Sequence, residues 1–325
     1  MIPNESLPPP LPSGTILGHL SALEISQPIS TRTPLCPSLS PITALACKRK
    51  THVMSILNVT PDSFSDGGQN DPTNMVGLKT TVLSMISNGA TIIDVGGQSS
   101  RPNAPDISAR EEIARVVPAI KLIRSLPEAA GVAISVDTYR AAVAEAAVAA
   151  GAHIINDVSA GSLDENMLAT MAKLGVTVCL MHMRGTPHTM TSKENTSYPD
   201  GLIRTVANEL EKRVAAAEAA GVRRWRIILD PGIGFAKRQD QNLELLRKMG
   251  ELRDSPGLRG LPWLVGTSRK GFIGKITGVT EAKNRSWGTA AAVAATIQGG
   301  ADIVRVHDIE EMVQVAKMAD AIWRV

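Results

Sequence analysis

From Val53 onward the sequence alternates short apolar runs with longer helical patterns, and this alternation limits the folds open to the chain. Strands that are continuously apolar and separated by helices are typical of a parallel sheet. Several helical stretches end at a glycine, as helix C-termini commonly do. The predicted strands are Val53–Val59, Thr91–Val95, Val132–Asp137, His153–Val158, Val176–Met181, Trp225–Asp230, Trp263–Gly266 and Asp302–His307. The predicted helices are Met75–Asn88, Ser108–Leu126, Tyr139–Ala149, Asp164–Lys173, Asp200–Ala220, Gln241–Arg253, Glu281–Gln298 and Ile309–Trp323.

Eight strands, each followed by a helix, in about 270 residues match the (β/α)₈ barrel in number and length. We therefore predict an α/β fold, a single (β/α)₈ TIM barrel over residues 51–325, with a doubly wound open sheet as the alternative. The barrel is favoured because polar residues follow nearly every strand, and a barrel brings all strand ends to one rim. Strand ends are in general wetter than strand middles, so no single one of these residues decides the question. They are Asn58, Asp94, Asp137, Asn156, His182, Asp230, Ser268, Arg269, Lys270, Arg305 and His307.

The first fifty residues differ from the rest. Nine of the twenty prolines lie before Thr51, and this segment has no Phe, Trp or Tyr. Such a segment buries too little to offset its ordering entropy, so we predict a Pro/Ser-rich flexible tail or linker remnant over residues 1–50. A short hairpin over Thr15–Gln27 would dock on the barrel. A targeting peptide is the alternative, although this proline density argues against the amphipathic helix that a transit peptide needs.

Composition excludes several classes of function. Lys and Arg exceed Asp and Glu by 34 − 31 = 3 residues and aromatic residues make up only 3% of the chain, so no nucleic-acid-binding surface is expected. No apolar run reaches the roughly 18 residues of a membrane span. The three cysteines form no CxxC pair, which argues against a disulfide framework or a structural zinc site. We expect a reducing compartment, the cytoplasm, with mitochondria as the alternative.

Two polar loops follow the first two predicted strands. The first begins at Asn58, whose carboxamide oxygen suits Mg²⁺, an ion that binds few protein groups and completes its shell with water and substrate phosphates. A turn hydrogen bond within the loop would explain Asn58 equally well. The second loop has paired glycines, Gly96 and Gly97, which allow close backbone approach, and Arg101, whose planar fork suits an anion.

Two acids and an amide lie at the ends of the third, fourth and sixth strands. Asp137 shares a strand face with Ser135, so it can point into the barrel mouth, and Asn156 and Asp230 lie at the corresponding ends of their strands. Because a buried carboxylate needs N–H donors, this group suits a flat, nitrogen-rich heterocycle with a guanidine-like edge. A metal held by the two aspartates is the alternative, although no histidine or third acid has suitable spacing.

Two cationic segments are expected beside this group. Ser268-Arg269-Lys270 precedes a glycine-rich helix start, where free N–H groups attract anions. Arg305 and His307 lie on one face of the eighth strand, with no acid beside them on that face, so they indicate an anionic ligand such as a phosphate. A helix-start hydrogen bond to Asp308 is the alternative role for His307.

All three phenylalanines, Phe64, Phe235 and Phe272, lie in these glycine-rich rim segments, although core positions are the usual place for Phe. This placement suits a planar aromatic ligand, and chance is the alternative with so few residues. No nucleophile is paired with a base in the rim segments. The group therefore fits a reaction that needs only positioning and stabilisation of a leaving group.

Eight segments taken together resemble the dihydropteroate synthases of folate biosynthesis. The likeness extends from about His52 to the C-terminus, and the first and seventh segments distinguish these synthases from other pterin-binding barrels. The segments are Asn58–Gly68, Gly96–Pro102, Ser135–Thr138, Asn156-Asp157, Leu180–Pro187, Leu229–Lys237, Ser268–Gly274 and Arg305–Asp308.

The resemblance implies an enzyme that joins 6-hydroxymethyl-7,8-dihydropterin diphosphate to 4-aminobenzoate and releases pyrophosphate. It implies that C–O cleavage comes first and gives a pterin-stabilised cation, which the arylamine then attacks. Sulfonamides would compete for the aminobenzoate pocket. We expect Mg²⁺ as the cofactor and a homodimer whose ligands are these small molecules.

The resemblance also implies roles for individual residues. Asn58 would bind Mg²⁺. The pterin would be held by Asp137, Asn156, Asp230 and Lys270, with Met181 packed beside it. The diphosphate would be bound by Ser100, Arg305 and His307. The aminobenzoate pocket would be built by Phe64 and Asp66 of the first loop and Arg101 and Pro102 of the second. Phe235 and Arg269 complete the expected substrate-binding residues, and the catalytic residues would be Asn58, Asp137, Lys270, Arg305 and His307.

Three positions depart from the family pattern: Gln98 stands where many members carry Glu, Ser100 where they usually carry Thr, and Gly271 where bacterial members often carry Ser. Ser100 keeps the hydroxyl. At Gly271, recognition of the aminobenzoate carboxylate would rest more on backbone N–H groups. Gln98 and Asn103 are closer to fungal members, in which this domain often ends a multifunctional chain.

Two other functions are alternatives to an active synthase. A barrel methyltransferase can bind folate through the same Asp/Asn/Asp group, but it needs neither the Asn58 loop nor the Lys270 segment nor the Arg305 and His307 pair. A non-catalytic pterin-binding relative, or a fragment that works only with partner domains, would show a broken loop or a missing cation, and the sequence shows neither.

Overall fold

A computed structural model of the chain describes residues 30–60, 74–98 and 106–325. Eight parallel strands form one sheet. The first six lie side by side in chain order, and the eighth lies between the first and the seventh, so the sixth and seventh strands are the two ends of the row. A parallel bridge between Leu229 and Trp263 joins the two ends of this row, so the sheet curls into a barrel. This confirms the predicted TIM barrel and excludes the open sheet. The strands are β3 His52–Asn58, β4 Ile92–Gly96, β5 Ala133–Asp137, β6 Ile154–Asp157, β7 Thr177–Met181, β8 Ile227–Asp230, β9 Leu264–Val265 and β10 Ile303–Val306.

The helices lie around the barrel and follow the predicted pattern with two differences. The predicted helix over Gln241–Arg253 is interrupted at Lys248, and a short helix, Gly271–Thr277, directly follows the Ser268-Arg269-Lys270 segment. Within the described ranges the helices are α1 Met75–Ser87, α2 Ala109–Ser125, α3 Ala141–Ala150, α4 Met167–Leu174, α5 Leu202–Ala219, α6 Gln239–Arg247, α7 Met249–Arg253, α8 Gly271–Thr277, α9 Ser286–Gln298 and α10 Ile309–Trp323.

Alternate residues of each strand point to opposite sides of the barrel wall. Outward residues such as Leu57 and Val136 pack against the helices in the main core. Inward residues near the amino-terminal ends, such as Met54 and Ile154, form a second apolar cluster inside the barrel. Closer to the carboxyl ends the inward residues become polar, and the buried Asp94 is one of them. The interior of the barrel is therefore apolar near the amino-terminal ends of the strands and polar at the mouth, near their carboxyl ends.

Residues 30–50 pack against the amino-terminal end of the barrel, unlike the flexible tail predicted for residues 1–50. They contain two short antiparallel strands, β1 (Arg32–Thr33) and β2 (Ile42–Thr43). Leu35 and Ile42 join the apolar cluster inside the barrel. Without this cover, that cluster would be open to water, and burying it favours folding. The hairpin predicted over Thr15–Gln27 lies outside the described residues.

Polar contacts also hold this segment. Arg49 forms an ion pair with Asp302, a buried carboxylate at the start of β10, with an Nε to Oδ1 distance of 2.7 Å. The hydroxyl of Thr31 donates to the Gly260 carbonyl at 2.8 Å. No local pattern predicts these contacts, because their partners lie more than 200 residues away along the chain.

Candidate active site

The pairing of neighbouring strands places four residues in one layer at the carboxyl end of the barrel, and three of them are predicted site residues. Asn58 pairs with Gly96, Gly96 with Asp137, and Asp137 with Asn156. A Cβ atom on Gly96 would lie 3.5 Å from Oδ1 of Asn58 and 3.7 Å from Cβ of Asp137, so the glycine keeps open the space between the two side chains. The candidate magnesium ligand and the heterocycle-binding group are therefore immediate neighbours.

Arg305 reaches across the barrel interior to two carboxylates. Its Nε donates to Oδ2 of Asp94 at 2.7 Å, and its Nη2 donates to Oδ2 of Asp137 at 2.8 Å. The same Asp94 oxygen accepts a 3.1 Å hydrogen bond from Nδ2 of Asn156. The expectation that Arg305 has no acid beside it holds only along its own strand, because both acids come from other strands of the closed barrel.

Burial shifts the pKa values within this group. Burial raises the pKa of Asp137, and the Arg305 guanidinium opposes that rise. For Arg305, burial alone would lower the pKa, but Asp94 and Asp137 more than compensate, so its pKa lies above the ordinary value. Arg305 is thus a permanent cation at the barrel mouth.

On the opposite side of the mouth, Asp230 ends β8 beside Met181 of β7. Its Oδ1 accepts a 2.7 Å hydrogen bond from the backbone N–H of Gly232. The Lys270 ammonium donates to the Ile233 carbonyl and lies 4.8 Å from the centroid of the Phe235 ring. Burial lowers the pKa of Lys270 to about 8, and Asp230 opposes that shift. Asp230, Lys270 and Phe235 therefore form one wall of the site.

The ends of β9 and β10 are tied together through Ser268 and His307. The backbone N–H of His307 donates to Oγ of Ser268 at 3.1 Å, and the same oxygen lies 3.0 Å from Nδ1 of His307. Asp308 begins α10 without a side-chain capping hydrogen bond and instead forms an ion pair with Arg269. The structure thus directs the Arg269 guanidinium to α10, whereas the sequence predicts a substrate contact for it.

Three residues other than glycine have a positive φ angle in the described part of the chain: Ala160 (51°), Ala236 (51°) and Arg269 (60°). They lie in the loops after β6, β8 and β9, at the same end of the barrel. Such conformations cost energy and are retained where surrounding contacts enforce them, often at functional sites. Backbone strain therefore marks the same rim as the polar side chains.

A family model described as pterin binding enzyme matches residues 54–307. The dihydropteroate synthase of Synechocystis is 47% identical over 278 residues, which are 85% of this chain and 91% of that protein. The chain belongs to the pterin-binding enzyme family.

Two further comparisons bear on this pterin-binding chain. The folic acid synthesis protein fol1 of Pneumocystis carinii is 50% identical over 278 residues, and the chain spans only 36% of that protein's length. A crystal structure of dihydropteroate synthase from Xanthomonas albilineans with 4-aminobenzoic acid superposes with a TM-score of 0.76 at 36% identity, covering 91% of this chain and all of that one. The family and the barrel predicted from the sequence are thereby confirmed.

Five predicted site residues of this family member lie outside the described residues: Phe64, Asp66, Ser100, Arg101 and Pro102. Phe272 does not lie at the rim as predicted; it is buried in the core on α8 and borders an apolar groove between α6, α8 and α9.

In the described ranges, no three His, Cys, Asp or Glu side chains are grouped to hold a metal. A metal site built on Asp137 and Asp230 therefore lacks a third ligand.

Sequence reasoning missed other polar residues near the site. Asp94 and His182 were expected at the rim without a role, and Lys237 and Glu209 were not singled out. Lys237 ends the Leu229–Lys237 segment, one of the eight that carry the family resemblance, so its position was a usable signal. Glu209 lies within α5 and has no local signal, because only the packing of α5 brings it to within 2.8 Å of His182. None of the helices in the described ranges is long and apolar enough to cross a membrane.

Proposed function

We propose that the chain is a dihydropteroate synthase, which condenses 6-hydroxymethyl-7,8-dihydropterin diphosphate with 4-aminobenzoate to 7,8-dihydropteroate and pyrophosphate. The observation that carries this proposal is the group of side chains at the barrel mouth: Asp137, Asn156 and Asp230 lie at the ends of their strands, and the cations Arg305 and Lys270 lie near them. High identity to synthases over nearly their whole length supports it. So does the likeness to an enzyme crystallised with 4-aminobenzoic acid.

The carboxylates and the amide hold the pterin. Asp137 and Asp230 accept hydrogen bonds from the N–H groups of the heterocycle, and the carboxamide of Asn156 has both a donor and an acceptor. Lys270 donates to a ring acceptor beside Asp230, whose negative charge favours the ammonium form of the lysine. A flat ring with alternating donors and acceptors satisfies all these groups at once, which is what buried polar groups require.

Arg305 and His307 bind and stabilise the diphosphate. Arg305 uses two of its five N–H donors on Asp94 and Asp137, so other donors can reach phosphate oxygens. Charge-assisted hydrogen bonds to phosphate are short and strong, and they strengthen as negative charge accumulates on departing pyrophosphate. The carbon–oxygen bond breaks first, its electron pair leaves with pyrophosphate, and the amine of 4-aminobenzoate then attacks the pterin carbon and loses a proton.

The residues present fit Mg²⁺ at Asn58. Mg²⁺ binds through one or two protein oxygens and completes its shell with water and phosphate oxygens, so a single hard ligand at the mouth is sufficient. Asn58 supplies that oxygen from the end of β3, in the same layer as Asp137. When bound, the ion neutralises charge on the diphosphate.

Turnover measurements test the proposal. The purified chain is mixed with the dihydropterin diphosphate, 4-aminobenzoate and Mg²⁺, and pyrophosphate release is followed with each component omitted in turn. Release that requires 4-aminobenzoate, yields dihydropteroate and is inhibited by a sulfonamide supports the synthase. Pterin binding without turnover would instead favour a fragment that needs partner domains, since the chain spans only 36% of the length of the Pneumocystis carinii relative.

We further propose a homodimer and a cytoplasmic location, with mitochondria as the alternative. The groove between α6, α8 and α9 has a volume of about 690 Å³ and is largely apolar. Ile276, which lines the groove, is 51% exposed, and Trp287, next in the chain to the lining residue Gly288, is 89% exposed; burying such apolar surface favours association. Sedimentation velocity of the wild type and of Trp287→Ser tests the dimer, since a monomeric wild type would contradict it. Cell fractionation tests the compartment.

A further inference from the structure

A buried polar network lies behind the loop that connects Asp230 to α6. Lys237, near the end of this loop, is buried, and its Nζ donates to the carbonyl of Phe235 at 3.0 Å. The same Nζ lies 2.9 Å from Nδ1 of His182, which is also buried. The Nε2 atom of His182 lies 2.8 Å from Oε2 of Glu209 on α5. An ammonium only donates, so Nδ1 of His182 accepts, and its Nε2–H donates to Glu209.

Tyr198, which belongs to the same network through Arg184, holds the loop by a second contact. Arg184 forms an ion pair with Glu209 and lies over the ring of Tyr198, 4.3 Å from its centroid. The Tyr198 hydroxyl donates to the carbonyl of Ala236 at 2.9 Å. Ala236 has the left-handed φ of 51°, so the neighbouring contacts must enforce this conformation. Consecutive carbonyls, those of Phe235 and Ala236, are thus fixed by one connected set of side chains.

Gly232, at the start of the loop, packs closely against the same network. A Cβ atom on Gly232 would lie 2.0 Å from the carbonyl oxygen of His182 and 3.2 Å from Nζ of Lys237. Gly232 is also the residue whose N–H binds Asp230. The Lys237 ammonium is therefore close to the carboxylate that would hold the pterin, although no hydrogen bond joins the two.

Several charged groups act on Lys237 and on Asp230. Asp230, Lys270, Glu209 and Arg184 act on Lys237, where burial lowers the pKa to about 7 and Asp230 opposes that shift. Lys270, Lys237 and Arg305 act on Asp230, where burial raises the pKa and these cations oppose the rise. The charge of Lys237 thus favours the ionised form of Asp230.

We propose that Lys237 is a positioning residue of the pterin site: its ammonium, anchored by His182 and the Phe235 carbonyl, fixes the loop after β8 and keeps Asp230 ionised for the bound heterocycle. Lys237 touches no substrate and acts through Asp230. The proposal rests on the proposed synthase function and adds to it a residue with a defined electrostatic task.

The test compares the affinity for pteroic acid, which has no diphosphate, by calorimetry at two pH values. Lys237→Met keeps the length of the side chain but not its charge. We expect its Kd to exceed that of the wild type about tenfold at about pH 6.5, and only about twofold at about pH 8.5, where the wild-type lysine itself is mostly neutral. Asp137 titrates in both proteins, and its effect cancels in the ratio.

The matched control is Tyr198→Phe, which removes a hydrogen bond to the same loop without changing a charge. Its Kd ratio to the wild type is expected to be equal at both pH values. Lys237→Arg keeps its charge at the higher pH, so its Kd relative to the wild type should fall between about pH 6.5 and about pH 8.5. This variant decides the question if Lys237→Met does not fold.

Two outcomes contradict the proposal in distinguishable ways. If the wild type binds pteroic acid but the ratios for Lys237→Met and Lys237→Arg do not change with pH, Lys237 only supports the loop and the proposal is wrong. If the wild type does not bind pteroic acid, the proposed synthase function fails and this inference fails with it.

Discussion

Arg305 donates a 2.8 Å hydrogen bond to Asp137 across the mouth of the barrel. The cation expected to bind the diphosphate and a carboxylate expected to bind the pterin are thus one ion pair, and the fully buried Asp94 is its third member. Because neither partner can change its charge or position without affecting the other, the two halves of the substrate should be recognised by one coupled unit.

Replacing Arg305 with methionine should therefore destabilise the protein even without substrate. The change leaves Asp94 and Asp137 buried without their counter-charge, which costs on the order of 3 kcal/mol. The pKa of Asp137 is already raised by burial, so it should rise further, and the folded variant takes up protons more readily than the unfolded chain. The deficit in the free energy of unfolding should then shrink as the pH falls from about 8 to about 5.5. Urea unfolding of the wild type and of Arg305→Met at several pH values between about 8 and about 5.5 measures this deficit.

The control for Arg305→Met is Arg285→Met. Arg285 donates to three backbone carbonyls, those of Val279, Arg269 and Thr280, and has no carboxylate partner among its hydrogen bonds in the described residues. Its loss should cost stability by an amount that does not change with pH. A pH-independent deficit in Arg305→Met as well would contradict the coupled unit.

Replacing Asn58 with alanine should raise the Mg²⁺ concentration needed for half-maximal turnover about tenfold, since the ion loses its proposed protein oxygen. Affinity for pteroic acid should stay near that of the wild type, because this ligand has no diphosphate and needs no metal. Turnover over a Mg²⁺ titration and calorimetry without metal check the two parts. An unchanged Mg²⁺ profile would remove Asn58 as a ligand.

Removing residues 30–50 in addition to residues 1–29 should lower stability markedly compared with removing residues 1–29 alone. The longer deletion uncovers the apolar cluster that Leu35 and Ile42 close, and it leaves Asp302 without Arg49. We expect a difference of about 3–5 kcal/mol in the free energy of unfolding. Parallel urea titrations of the two truncated proteins measure it, and equal midpoints would show that the segment contributes nothing to the barrel.

Introducing serine at Gly271 should preserve folding and strengthen the binding of 4-aminobenzoate. A Cβ atom there meets nothing within 4 Å, so the side chain has room. The added hydroxyl donates to the aminobenzoate carboxylate, and one such hydrogen bond to a charged group should lower KM about threefold to tenfold with kcat nearly unchanged. Gly131→Ser is the control, because Gly131 is equally open but lies between α2 and β5 at the other end of the barrel. A KM equal to that of the control would contradict a contact at this position.

His52 should make stability depend on pH below neutrality. Burial lowers its pKa to about 4, while an unfolded histidine has its ordinary value of 6.5. Neutral His52 therefore contributes stability above about pH 6.5 that is lost as the pH falls toward about 4, by at most about 3 kcal/mol. The free energy of unfolding of His52→Asn should fall less steeply over this range than that of the wild type. Identical pH slopes would show that His52 takes up its proton equally in both states.

The sequence predicted the barrel and most of the described rim because both depend on local signals. Apolar runs of strand length, helices ended by glycine and polar residues after the strands are readable one unit at a time, and Asn58, Asp137, Asn156 and Asp230 follow from them. The packing of residues 30–50 was not predicted, because proline content suggested a flexible segment while Leu35 and Ile42 find their partners only in the assembled barrel.

By itself, then, the sequence determined the eight-unit barrel, the end of it that carries the polar residues, and the family to which the chain belongs. Only the tertiary structure decided which charges neutralise each other: Arg305 with Asp94 and Asp137, Arg269 with Asp308, and Arg184 with Glu209. The physical reason is that strand periodicity fixes which side of the wall a residue faces, whereas closing the barrel sets the distances across it, and electrostatic interactions depend on those distances.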